Sequence, residues 1–170
     1  KTSDGREIRS QGSTVGTSRN RLLNEYYFPH HMAFTKLVEE ELLRSGAAII
    51  VDCHSFPSKP LPYEFDQNPN RPDICIGTDE FHTPGLLSRS LEHEFCKKGY
   101  RVALNTPFAG AIVPQRFYQT RPDVSSVMIE INRSLYMDEI TLEKRQNFDQ
   151  IGLDILSCLE SLCGEFTGRP

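Results

Sequence analysis

The sequence predicts an α/β fold in which one sheet is covered by helices on both faces. Apolar runs with strand character alternate with amphipathic helical stretches along the chain. The first of these runs is also continuous in apolar residues, as a strand buried on both faces requires. Size agrees: 170 residues with 38% hydrophobic content suffice for one domain with a substantial core and are too few for two comfortable ones.

After a polar opening, KTSDGREIRSQGS, helical spacing begins in SRNRLLNEYYFPHHMAFTKLVEEELLRSG. There Leu22, Leu23, Tyr26 and Tyr27, then Phe34, Leu37, Val38, Leu42 and Leu43 recur at three- and four-residue intervals. Pro29 fits the start of a second helix and Gly46 its stop. AAIIVD (47–52) reads as the first strand. The Pro-, Asn- and Asp-rich stretch from Ser55 to Pro72 reads as a long loop, of a length that in compact domains usually carries function. DICIGT (73–78) predicts a second strand. TPGLLSRSLEHEFCKKG predicts a helix capped by Thr83, with Pro84 in its first turn and Gly99 past its end. YRVALN (100–105) and DVSSVMIEIN (123–132) predict two further strands, and residues 138–164 an amphipathic closing helix.

The net charge of -4, with 19 Lys and Arg against 23 Asp and Glu and no dense basic cluster, argues against nucleic acid or an anionic membrane as partner. A small soluble substrate fits better. Five scattered cysteines (Cys53, Cys75, Cys96, Cys158, Cys163) without CxxC spacing suggest neither a disulfide framework nor a zinc knuckle, so a reducing compartment is expected. No apolar run approaches the roughly 18 residues of a membrane span, and no apolar signal core opens the chain. These observations predict a cytoplasmic protein. The chain opens on Lys1 rather than Met, so the expectation is a single catalytic domain over 1–170 that lacks its N-terminal portion.

In open α/β sheets, ligands gather beyond the carboxyl ends of the strands. Three of the four predicted strands finish on polar residues: Asp52 and His54 in IIVDCHSFPS, Asn105, and Glu130 with Asn132 and Arg133. Each has a bland alternative: a structural histidine, a turn asparagine before TPFAG, a buried ion pair of Glu130 with Arg133 or Arg121. Glu130 is the hardest to dismiss. It shares a strand face with Met128 while Val127, Ile129 and Ile131 point the other way, so the carboxyl lies among apolar groups and must be neutral, paired or close to a metal. A glutamate whose pKa is raised by burial suits a general base near neutrality. A histidine fixed at a strand end suits zinc. The other histidines fit less well: His30 and His31 are adjacent on a helix and diverge, His82 could cap, pack or join the site, and His93 reads as a surface group.

Four blocks in order, VDCHSFPS, RPDICIGTDEFHTP, NTPFAGAIVP and VMIEINRSLYMDE, resemble the N-formylglutamate amidohydrolase family from about Thr2 through Glu139. The resemblance implies a fold similar to the zinc carboxypeptidases, a three-layer α/β sandwich with a mixed sheet. It also implies hydrolysis of N-formyl-L-glutamate to formate and L-glutamate in histidine breakdown. Carried over, His54 looks like a zinc ligand and Glu130 like the catalytic glutamate. The family's earlier ligands, a histidine and an acidic residue, have no counterpart in this sequence, so the 170 residues alone are expected to bind zinc weakly or not at all. A substrate with two carboxylates calls for guanidinium groups, with Arg71 and Arg133 the first candidates and Arg116 or Arg121 the next. Asn105, Gly110 and Tyr118 are expected to line the substrate loop, Gly110 by allowing close backbone approach and Tyr118 by donating a hydrogen bond. Related readings are a zinc deacylase or carboxypeptidase acting on another N-acyl amino acid or a peptide, and a non-catalytic protein that binds a small dicarboxylate.

Overall fold

The computed structural model of the chain describes residues 6–7 and 17–167; most of the polar opening, with the start of the family-like segment, lies outside the described residues. Helix α1 (Thr17–Leu22) runs through a π-helical turn (Leu23–Tyr27) into α2 (Phe28–Ser45). Pro29 stands in the first turn of α2, where its missing N–H costs nothing. Gly46 ends α2 in the left-handed conformation, φ 76°, with its N–H bonded to Leu42 O.

Strands β1 (Ala48–Phe56), β2 (Ile74–Gly77), β3 (Val102–Leu104) and β4 (Val124–Asn132) form one mixed sheet in the order β1-β4-β2-β3. β1 and β4 run parallel, as do β2 and β3, and β2 is antiparallel to β4. β1 extends four residues past its predicted end because its parallel ladder with β4 continues to the pair Phe56↔Asn132. Asp52 and His54 therefore lie inside the strand.

Strand alternation sorts the residues of β1 and β4 onto two faces. On one face Val127 and Ile129, with Ile74 and Ile76 of β2, meet Leu87, Leu91 and Phe95 of α3 (Gly85–Lys97) and Cys158 and Leu162 of α4 (Phe148–Thr167), all almost fully buried. Each large side chain buried there contributes about 1.5–3 kcal/mol. On the other face Val38 of α2 and Phe117 cover Ala48 and Val124. The result is the expected three-layer arrangement, helices on both faces of a mixed sheet.

Two predicted helix starts shift. Thr83 does not cap α3: its hydroxyl donates to Ser126 O at 2.6 Å and accepts from Asp79 N at 2.8 Å, tying the chain to the sheet, and Pro84 is the residue before the helix. The closing helix begins only at Phe148, because Asp138 accepts from the N–H groups of Ile140 and Thr141 and folds 138–144 into a turn closed by the bridge Met137↔Lys144. Among the described residues no helix is long and apolar enough to cross a membrane.

Candidate active site

The face covered by α2 is apolar only at one end. Ala48, Ile50 and Val124 lie under the helix; further along, the same rows carry Asp52 with Met128, then His54 with Glu130. His54 and Glu130 are register partners on adjacent parallel strands, and Cys75 of β2 is the partner of Glu130 on its other side. Partners on neighbouring strands share a face at roughly 4.8 Å spacing, so imidazole, carboxyl and thiol form one row.

Within that row the groups differ in exposure and partnership. Glu130 is 8% exposed, and its Oε2 is buried with no hydrogen-bond partner among the described residues. Burial holds its carboxyl above the ordinary range, against the lowering influence of His54 and Arg133. The predicted alternative, an ion pair, is not formed: Arg121 pairs with Asp123, and Arg133 is bonded to Ser55. The His54 side chain is half exposed and lies 2.9 Å from Asp52 Oδ1 through Nε2. The contact sets a carboxylate beside one ring nitrogen of the imidazole. Asp52 was legible two residues before His54, since alternation places both side chains on one face. Cys75 is fully buried, its thiol bonded to Phe108 O at 3.2 Å and pushed up in pKa by burial.

The loop 105–119 crosses this face. Phe108 packs on Phe56 at 5.7 Å, Gly110 passes over Gly77, and Ile112 O accepts from Ser126 Oγ at 2.7 Å. Gly110 has φ 101°, and a Cβ on Gly77 would fall 2.5 Å from its carbonyl oxygen, so close approach of the two backbones needs glycine on the strand.

Not every expected substrate group comes together there. Asn105 follows β3, at the far edge of the sheet from β1, and its side chain is spent on the Thr78 N–H and hydroxyl, both at 2.8 Å. Its turn role, with φ 55°, is the one seen. Tyr118 stacks on His82 at 5.7 Å, and His82 is held beside Val124 at the amino end of β4. Val124 lies six residues of extended strand, roughly 20 Å, before Glu130. His82 itself is structural: Nε2 accepts from Gln119 N at 2.8 Å and Nδ1 donates to Val124 O at 2.7 Å. His30 and His31 form an aromatic cluster with Tyr27 on α2, and His93 is exposed on α3.

The arginines are largely committed. Arg71 is 4% exposed, paired with Glu64, bonded to Pro57 O at 3.1 Å and Asp66 O at 3.3 Å, and lies over the rings of Phe56 and Phe108. It latches the long loop, and Glu64, an ordinary loop residue in the sequence, neutralises it. Arg116 pairs with Glu39 of α2. Arg133 donates through Nε and Nη2 to Ser55 Oγ at 3.1 Å and Ser55 O at 3.0 Å, and shares with His54 the lining of a cavity of about 590 Å³ beside α4.

Among the described residues no group of three His, Cys, Asp or Glu side chains is arranged to hold a metal ion. An imidazole backed by a carboxylate, beside an unpartnered buried carboxyl oxygen, nonetheless suits one side of a zinc hydrolase site.

Comparison with known proteins points to one family. The model of the N-formylglutamate amidohydrolase family matches residues 1–137. N-formylglutamate deformylase of Pseudomonas putida is 26% identical over 126 residues, which cover 73% of this chain and 46% of that protein. The crystal structure of N-formylglutamate amidohydrolase from Ralstonia eutropha aligns with a TM-score of 0.72 at 31% identity, over 82% of this chain and 51% of that one. The chain thus spans about half the length of the relatives it matches.

Proposed function

The chain belongs to the N-formylglutamate amidohydrolase family, and from that premise we propose that the protein hydrolyses the formyl amide of N-formyl-L-glutamate to formate and L-glutamate, as a step of histidine degradation. The observation that carries the reading is the buried, unpartnered Oε2 of Glu130 in one row with His54. A carboxyl placed in that way has raised proton affinity, and its Oε2 has no hydrogen-bond partner among the described residues.

Glu130 removes the proton of a water that attacks the formyl carbon. It then delivers that proton to the amide nitrogen as the carbon–nitrogen bond breaks, so one carboxyl serves as base and acid. Asp52, beside Nε2, is the group that would orient the His54 ring. Zinc belongs to this proposal: His54 is the ligand this chain would offer, and the bound ion would supply Lewis-acid activation of water and carbonyl. Of the arginines, Arg133 has no carboxylate partner among the described residues and is near enough to lower the proton affinity of Glu130, so it is the cation best placed to draw a substrate carboxylate. Arg71 would have to give up Glu64 first.

The test is formate release by the complete gene product from a panel of N-formyl, N-acetyl and peptide substrates, with metal content measured on the same preparation. Formate released from N-formyl-L-glutamate in preference to the others supports the proposal. Hydrolysis of only an N-acetyl or peptide substrate, or binding of glutamate without turnover, refutes it.

A further inference from the structure

The blocks VDCHSFPS and VMIEINRSLYMDE hold Ser58 and Glu139, which the proposed chemistry leaves unused, and in the structure these two are spent on one another. Beyond the last register pair, Phe56↔Asn132, the two strands separate. There the Glu139 carboxylate accepts from the backbone N–H of Ser58, at 3.0 and 3.2 Å, and from the Ser58 hydroxyl. Arg133 grips Ser55 from the same segment, and Arg71 holds Pro57 O. Ser55–Ser58, the stretch that follows His54, is therefore tied at three residues.

Two further features make the tie consequential. β1 is an edge strand among the described residues, so His54 has sheet support on the β4 side alone. Beyond Phe56 the chain enters the long loop, and an edge strand leading into a loop frays from that end unless it is held. Glu139 can hold it because its own segment is fixed: Asp138 N–H bonds to Glu143 O at 2.8 Å, and Met137 bridges to Lys144. A carboxylate that accepts both a backbone N–H and a hydroxyl makes charge-assisted bonds, stronger than neutral ones.

We infer that Glu139 is a positioning residue for His54: by holding Ser58 it fixes the carboxyl end of β1 against the segment that follows Glu130, and so sets the distance between imidazole and carboxyl. This role rests on the hydrolytic reading of the site. Glu139 touches no reacting group, and its effect passes through the backbone of residues 55–58.

The experiment compares Glu139→Ala and Glu139→Gln in the complete gene product, by steady-state formate release well below the melting temperature and by amide hydrogen exchange over residues 53–58. Glu139→Ala lowers kcat by about 10- to 100-fold with KM changed little, as expected for loss of alignment. Glu139→Gln, which keeps one acceptor for Ser58, recovers most of that loss. Exchange over 53–58 accelerates in Glu139→Ala and returns toward wild type in Glu139→Gln. Normal kcat in Glu139→Ala, or unchanged exchange, overturns the role. If Glu139→Ala does not fold, a normal kcat and exchange in Glu139→Gln with Ser58→Ala, which together remove the hydroxyl bond and weaken the other, overturns it likewise. If the wild type releases no formate, the hydrolytic reading has failed, and exchange alone decides whether Glu139 holds this segment.

Discussion

Gly77→Ala tests the packing of the loop that crosses the candidate site. The new Cβ would lie 2.5 Å from Gly110 O, closer still to Met128 Cε, and 3.1 Å from Met128 Cβ. The methionine tip can swing aside, but the carbonyl belongs to the backbone. To reach an ordinary 3.4 Å contact it must move by about 0.9 Å (3.4 − 2.5), carrying residues 108–112 off the sheet. Overpacking of this kind costs about 1–3 kcal/mol, and the reduced freedom of the unfolded chain returns about 0.4–1 kcal/mol. The net loss is about 1–2 kcal/mol, or a melting temperature lower by roughly 2–8 °C for a chain of this size. Thermal unfolding followed by circular dichroism measures it. In a Met128→Ala background the clash with the methionine tip disappears while the carbonyl clash and the contact with the Cβ of residue 128 persist, so more than half of the loss should remain. A neutral or stabilising Gly77→Ala, or a cost abolished by Met128→Ala, would refute the close approach of the two backbones.

Other perturbations follow from the same contacts. Arg71→Ala leaves Glu64 buried without its partner and should destabilise by about 3–5 kcal/mol in urea unfolding, with part of the loss recovered in the Arg71→Ala/Glu64→Ala double variant. Asp154 sits where burial alone would raise its pKa, but bonds from Tyr100 at 2.7 Å, Gln150 at 3.1 Å and the Lys98 ammonium outweigh burial and hold the carboxyl below its ordinary value. A depressed folded pKa stabilises the fold above the unfolded value, and that contribution is lost as pH falls through the folded one. Asp154→Asn should therefore cost about 1 kcal/mol near neutrality, with the difference from wild type closing as pH drops below about 4 in a melting series.

The fold was legible where local chemistry and long-range packing agree. Pro29, Gly46 and Gly99 mark helix ends in the sequence and do so in the structure. The alternation in VSSVMIEIN put Glu130 on the face opposite Val127 and Ile129, as the cores show. What failed to show was set by partners distant in sequence. β1 continues to Phe56 because β4 pairs with it, and nothing in residues 53–56 announces that. Thr83 looks like a cap, but Ser126, 43 residues on, takes its hydroxyl. Arginine roles are the least legible of all. Arg71, Arg116 and Arg121 each look available in the sequence, and each meets a carboxylate, at Glu64, Glu39 and Asp123, of which only the last is close enough in sequence to suspect. His54 and Glu130 stand out in the sequence as an imidazole at a strand end and a carboxyl within an apolar strand, and the structure sets them side by side as register partners.

The central claim is that the buried carboxyl of Glu130 moves the proton in amide hydrolysis. The most direct measurement is formate release from N-formyl-L-glutamate by the complete gene product carrying Glu130→Gln, set beside wild type at equal folded concentration. A loss of about 10²–10⁴-fold in kcat with the melting temperature retained is the predicted result. Turnover within about twofold of wild type would contradict it.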